Sequence, residues 1–285
     1  LMFNGRTQFK KTRFSEGSIL RSRLFEIGYG SKFNADTVRE SSNFALKVEA
    51  NFIDLSEVKT EVFYRSTGRN TRITRGSPLA PYIHMPKGIG GYIEFTGPRK
   101  PKYIYSLRFE RGKGSEPSPG ISWKNSSRAF IKFMPRDNLS FNMSYNHSDE
   151  KNWLNWLDDN LLATYERKQR TSVFELEWFK NNKHELRIKA QLVAFTGRNP
   201  TPYIGDQKGK LNPINLSISP ITISELAFQV RYRYEIMPLS YLYLVYSKGG
   251  RVSLNDEEDD LSNLYRRPWN DPSDENFTVK LRYRF

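Results

Sequence analysis

The chain has 285 residues, with 45 Lys and Arg against 31 Asp and Glu, a formal charge of +14 and no cysteine, which excludes a disulfide framework, an iron–sulfur cluster and a Cys-based zinc site. Its 19 Phe, 16 Tyr and 5 Trp are too many aromatics for a solvated coil. Mean hydropathy is −0.68, and the longest uncharged run, 211–224, is broken by Pro213 and Pro220, so no stretch approaches the ~20 apolar residues of a membrane-spanning helix.

The chain opens on Leu1 with no charged-then-apolar leader, which reads as a mature form or as a fragment of a longer protein. Residues 19–29 alternate irregularly. In 44–53, Phe44, Leu46, Val48, Ala50 and Phe52 alternate with Lys47, Glu49 and Asn51. A strand sends successive side chains to opposite faces, so this is a two-faced strand with a ring at each end of its apolar face. Less regular alternation covers 58–67 and 88–97. In 102–111, Tyr103, Tyr105, Leu107 and Phe109 alternate with Lys102, Ser106, Arg108 and Glu110. After a less regular 121–134, the pattern returns in 139–147 with Leu139, Phe141, Met143 and Tyr145. The segment 152–162 predicts a short helix, because Trp153, Trp156 and Leu157 share a face at i, i+3 and i+4. Strand candidates follow at 161–180, at 185–194 and at 226–236. In 185–194, Leu186, Ile188, Ala190, Leu192 and Ala194 oppose Glu185, Arg187, Lys189 and Gln191. In 226–236, Leu226, Phe228, Val230, Tyr232, Tyr234 and Ile236 oppose Gln229, Arg231, Arg233 and Glu235. After 241–248, the chain ends on FTVKLRYRF. There Phe277, Val279, Leu281, Tyr283 and Phe285 fall on one face, and Thr278, Lys280, Arg282 and Arg284 on the other.

The connections are of two kinds. Asp54–Glu57, Gly97–Pro101, Pro135–Asn138, Asn181–His184 and Met237–Ser240 are tight. The segments 30–42, 68–87, 112–120, 148–160, 196–224 and 249–275 are long and polar. Short and long alternate along the chain, as periplasmic turns and outside loops must in an up-and-down barrel. The expected fold is therefore all-β: a transmembrane antiparallel up-and-down β-barrel of about twelve strands, many near the ~9–11 residues that cross a bilayer. Residues 1–285 then form one outer-membrane barrel domain, whole or part of a larger barrel, with its last strand running toward the periplasm. A soluble sandwich also alternates, but its outward face is the polar one and its strands need no rings at both ends.

Two segments carry resemblances. The end FTVKLRYRF resembles the terminal strand that outer-membrane barrels present to their assembly machinery, with Phe277, Val279, Leu281, Tyr283 and Phe285 at alternate positions. The segment AFQVRYRYEIMPLSYLYLVYS (227–247) is similar to the barrel domain of unknown function that follows a family 9 carbohydrate-binding module in many bacterial surface proteins. That likeness runs from Tyr165 onward. It implies an outer-membrane barrel at the C-terminal end of a longer protein, with glycan-related work, and it brings no catalytic residues.

The main chemical signal is basic. If apolar positions face lipid, then Arg108, Arg187, Lys189, Arg231, Arg233, Lys280, Arg282 and Arg284 face the lumen, with fewer acids (Glu49, Glu110, Glu185, Glu235) among them. Such a wall favours anions or acidic glycans; alternatively, Arg and Glu pair across strands and fill the interior. On Arg231, Arg233, Lys280, Arg282 and Arg284, with Glu235 as the nearest acid of their strands, a net positive patch is expected. Trp153 and Trp156 are candidates for stacking on sugar rings, the plainer reading being a helix folded over the rim. Asp256, Glu257, Glu258, Asp259 and Asp260 lack EF-hand order and read as a solvated loop. His84, His147 and His184 have no ligand spacing, KGIGGY (87–92) is no phosphate loop, and no carboxylate pair is nominated for glycoside hydrolysis.

The expected function is thus non-enzymatic and needs no cofactor or metal. It is a porin-like or gated passage for anionic or saccharide solutes in the cell outer membrane; the alternative is a structural barrel anchoring partner proteins or a carbohydrate-binding module at the surface. Expected partners are outer-membrane lipid and lipopolysaccharide, the barrel assembly machinery, and surface proteins or glycans; nucleic acid is not among them, since the basic residues spread over many strands without a recognition motif.

Overall fold

The computed structural model describes residues 2–11, 18–33, 39–114, 120, 122–254 and 261–284. In chain order the strands are β1 (Met2–Lys11), β2 (Leu20–Phe33), β3 (Arg39–Phe52), β4 (Glu57–Arg65), β5 (Gly68–Asn70), β6 (Ile83–Met85), β7 (Gly88–Thr96) and β8 (Tyr103–Lys113). They continue as β9 (Trp123–Arg136), β10 (Leu139–Asp158), β11 (Leu161–Asn181), β12 (His184–Gly205), β13 (Leu211–Pro213), β14 (Ile221–Met237) and β15 (Ser240–Leu254). One helix, α1 (Leu261–Asn270), precedes the last strand, β16 (Asp274–Arg282). It is not long and apolar enough to cross a membrane.

Each strand of the main sheet pairs antiparallel with its chain neighbour, in the order β1-β2-β3-β4-β7-β8-β9-β10-β11-β12-β14-β15-β16; β13 adds to β12, and β5 and β6 form a separate ribbon. The five tight turns fall where alternation stops, and all lie at one end of the sheet. Turn chemistry explains two of them. Asp54 accepts from the Ser56 backbone N–H (3.0 Å) and hydroxyl (2.6 Å), and Asn181 Oδ1 accepts from the N–H groups of Lys183 and His184.

The expected barrel is not closed. Among the described residues, β1 and β16 are free edges, and β16 is exposed along its whole length. Strand parity rules out one way of closing it. Thirteen strands alternate in direction along the path, so its first and last run the same way and an antiparallel ladder between them is impossible.

Three local expectations also change. The region 148–160 is not a long loop with a helix: β10 runs through Asp158, and only Asp159 and Asn160 separate it from β11. Strands β10, β11 and β12 have 20, 21 and 22 residues, about 70 Å when extended, and so project far past their neighbours. The projection is held by the connection from β4 to β7, where Ala80 and Ile83 join Leu154, Leu162 and Leu211 in a buried cluster flanked by Ile73 and Tyr203. Second, β1 has no counterpart in the sequence reading; its ten residues MFNGRTQFKK hold too few apolar positions to show a period. Third, loop 30–42 is mostly strand, since β2 continues to Phe33 and β3 begins at Arg39. The acidic run Asp256–Asp260 and Phe285 lie outside the described residues.

Candidate functional site

The sheet has two chemically distinct faces. The register places Phe25 opposite Val48, Phe44 opposite Tyr64, Met143 opposite Ile131 and Phe174, and Leu244 opposite Tyr232 and Val279. These residues share one face, and that face is open to its surroundings: Tyr29, Val62, Ile93, Leu107, Met143 and Phe277 are each more than half exposed. Continuous exposure of large apolar groups on this scale marks a contact surface for lipid or protein.

The apolar residues form a band inclined to the hydrogen-bonded rows. On β2 the band centres on Ile27, between Phe25 and Tyr29. The row through Ile27 runs by way of Leu46, Val62, Gly91, Arg111, Asn125, Asp149, Lys168, Thr196 and Thr222 to Leu254 on β15. On β15, however, the band centres on Leu244, between Leu242 and Tyr246. The band has slipped from 254 to 244, ten residues over ten strand-to-strand steps. At ~3.3 Å per residue and ~4.8 Å per strand, this inclines the strands by roughly 35° to the normal of the band. On β3 the span from Phe44 to Phe52 then covers about 22 Å along that normal.

The opposite face carries the basic residues named from sequence. Glu177, Arg187 and Arg231 stand side by side in one row, and Glu185, Arg233, Tyr243 and Lys280 in the next. Glu185 is buried, with its side chain 4% exposed. It receives three guanidinium groups: Arg187 in direct contact, Arg233 at 2.8 Å and Arg231 at 3.9 Å. The acid that offsets the Arg231–Arg233 pair is thus Glu185 from the neighbouring strand, not Glu235. Lys189 pairs with Glu175 at 2.8 Å. Arg108 is held between Glu94 (3.2 Å) and Glu110 (3.0 Å) with its guanidinium 3.6 Å over the Tyr92 ring. Lys280 and Arg282 lie on this face opposite Tyr243 and Tyr241, exposed at the open edge. The backbone N–H of Arg284 donates to Ser240 Oγ at 3.0 Å.

Beside Arg108 the polar face is hollowed into a cavity of about 560 Å³, lined by Glu110, Lys124, Ser126, Arg128, Arg167 and their neighbours. Arg128 stands directly across from Arg108 in the ladder. Like charges in that position repel. Arg108 is neutralised by its two glutamates, whereas Arg128 meets the neutral Asn146 Oδ1 at 2.7 Å. The sequence reading missed Lys124, Arg128 and Arg167; alternation in 121–134 and in 161–180 is too irregular to fix their face.

Trp153 and Trp156 do not form a pair. In a strand an odd spacing separates faces, and Trp153 pairs with Tyr165 while Trp156 pairs with Leu162. Trp153 packs on Tyr165 and edge-on to Phe195 at 5.3 Å. Trp156 donates Nε1–H to the Asp159 carbonyl (2.9 Å), with Arg75 4.0 Å over its ring. Val279, Leu281 and Tyr283 lie exposed on the apolar face of the terminal segment. Among the described residues no group of three or more His, Asp or Glu could hold a metal ion.

Outside the band, the Lys32 ammonium beside Glu40, together with the Thr71 hydroxyl at 3.1 Å, holds the Glu40 carboxyl below the usual carboxylate range. Asp206 is lowered in the same direction, chiefly by the Lys210 backbone N–H. No protein-family model, curated protein or solved structure matches this chain.

Proposed function

We propose that the chain is an outer-membrane β-barrel unit whose basic face lines a passage for anionic or saccharide solutes. The observation that carries this reading is the inclined apolar band. Its ~22 Å height and ~35° strand inclination agree with the ~25 Å apolar belt and 35–45° tilt of outer-membrane barrels. Slippage of one residue per strand is also the stagger a closing sheet needs at about that tilt. An all-antiparallel closure then takes an odd number of further strands between β16 and β1. The terminal strand serves as the signal read by the assembly machinery, and outer-membrane lipid covers the band.

Within the passage, Lys124, Arg128 and Arg167 line the 560 Å³ cavity and supply the cations that favour anions. A second reading, a surface anchor that does not conduct, has its own support: Glu185 ties three arginines together, and Ala80, Ile83, Leu154, Leu162 and Leu211 pack the projecting end into a solid cluster.

Reconstitution into planar phosphatidylcholine bilayers separates the two readings. Stepwise currents whose reversal potential in a KCl gradient indicates anion preference are expected. Heat-modifiable, fully inserted protein without current would sink the passage and favour the anchor. Failure to insert at all would remove both.

A further inference from the structure

The apolar face carries charge above its band, and nothing on the polar face explains it. On β8 the outward positions after Phe109 are Arg111 and Lys113; on β11 the outward positions before Ser172 are Arg170 and Lys168. Arg111 and Lys168 lie in one hydrogen-bonded row, three strands and about 14 Å apart. Arg111, Lys113 and Lys168 are exposed and Arg170 is half-buried.

Their depth follows from the band. Its centre lies near Ser106 on β8 and at Leu176 on β11. At ~3.3 Å per residue and ~35° inclination, the four cations stand roughly 13–22 Å above the midline. A ~25 Å apolar belt ends about 12 Å above its midline, so all four begin where the hydrocarbon stops. Trp123 stands at the same level and is 44% exposed, with Arg111 4.5 Å and Lys113 5.4 Å over its ring. An indole with flanking cations at that level is the composition of a membrane–water interface.

The local acids do not neutralise this group. Asp149 lies in the same row but is engaged by Asn125 Nδ2 (3.0 Å) and faces His147 Nε2 (3.6 Å). Glu166 lies across the ladder from Arg198. Among the described residues, none of the four cations forms an ion pair with a carboxylate. The half-buried arginines around Glu185, by contrast, are all paired. Four cations without an ion-paired carboxylate, with Asp149 as the acid in their row, leave net positive charge in an arc at the rim of an apolar band, and lipid headgroups are the anions found at that depth.

We propose that Arg111, Lys113, Lys168 and Arg170 form an outward-facing collar that binds the phosphates of outer-leaflet lipid headgroups, with Trp123 seated among them. This rests on the membrane-barrel reading. The partner is phosphate carried on lipid, because the collar is open and shallow and gains its selectivity from lying beside the apolar band.

The full chain, inserted into phosphatidylcholine bicelles, is titrated with lipid A and followed by Trp fluorescence. Saturable, salt-sensitive binding is expected. The variant R111Q/K113Q/K168Q/R170Q should insert normally and bind lipid A roughly a hundredfold more weakly or worse, since each basic group near an anionic surface contributes about a factor of five. A control variant, K208Q/K210Q in the exposed connection between β12 and β13, should bind like the parent. Insertion without saturable lipid A binding, or equal binding by the collar variant, would overturn the collar while leaving the barrel standing. Displacement of lipid A by an equal concentration of inorganic phosphate would overturn the lipid assignment. A parent chain that fails to enter bicelles refutes the barrel reading first, and the collar with it.

Discussion

Glu185 on β12 and Arg233 on β14 stand directly opposite each other in the ladder, with Arg233 2.8 Å from the Glu185 carboxylate. Arg187 and Arg231 meet the same carboxylate, so one nearly inaccessible acid holds three cations on one face. Removing it leaves three guanidinium groups facing one another. Breaking a buried pair from one side costs about 3–5 kcal/mol, and the partial exposure of these arginines brings the expectation for Glu185→Ala to about 2–3 kcal/mol. Urea unfolding of the inserted chain measures it. In a double-mutant cycle, Glu185→Ala and Arg233→Ala should cost at least ~1 kcal/mol less together than separately. Strict additivity would show that the pair is not coupled.

The slope of the apolar band makes an unusual prediction. Ile27 and Leu254 lie in the same hydrogen-bonded row, yet only Ile27 is at the centre of the band. Ile27→Arg and Leu244→Arg should each cost about 2–4 kcal/mol on folding into phosphatidylcholine vesicles, and Leu254→Arg about 0–1 kcal/mol. Equal costs at Ile27 and Leu254 would mean that depth follows the rows, and the inclined band would have no membrane meaning.

The terminal strand tests assembly separately from folding. Tyr283→Asp with Phe285→Asp, or deletion of Phe285, should abolish the heat-modifiable form in cells if the apolar face of this segment serves as the proposed assembly signal. Normal amounts of inserted protein from either variant would refute that role.

Acid should loosen the connection between β4 and β7 before the sheet. The Lys32 ion pair and the Thr71 hydroxyl hold the Glu40 carboxyl below its usual range, so the charged form is preferred in the folded chain. A group with a depressed folded pKa contributes stability above its unfolded pKa and loses it as pH falls through the folded value. The window therefore lies below about pH 4. Amide exchange at 66–73 should rise there. Glu40→Gln should show that faster exchange at neutral pH and lose the acid dependence. Unchanged exchange in the variant would mean that Glu40 does not tie β3 to this connection.

The sequence alone determined the two faces and most of the strands. Period-two alternation is a local property, so Tyr103–Phe109, Leu139–Tyr145, Leu186–Ala194, Leu226–Ile236 and the terminal strand could be read without knowing their partners. Tight turns were legible for the same reason: Asp54 and Asn181 close theirs with their own side chains. Which strand lies beside which followed from chain order, but register did not. Pairing joins residues far apart in the chain, and only the assembled ladders showed that the band slips ten residues over ten steps, that Glu185 rather than Glu235 serves Arg233, and that Trp153 and Trp156 part to opposite faces. The tertiary structure also decided the length of β10–β12. Their polar upper halves carry no apolar period, and they are strands because Ala80, Ile83 and Leu211, brought from other connections, pack against Leu154 and Leu162. The open edges were equally out of reach, since the direction of the last strand relative to the first depends on a count that includes β1, whose ten residues alternate too little to be seen.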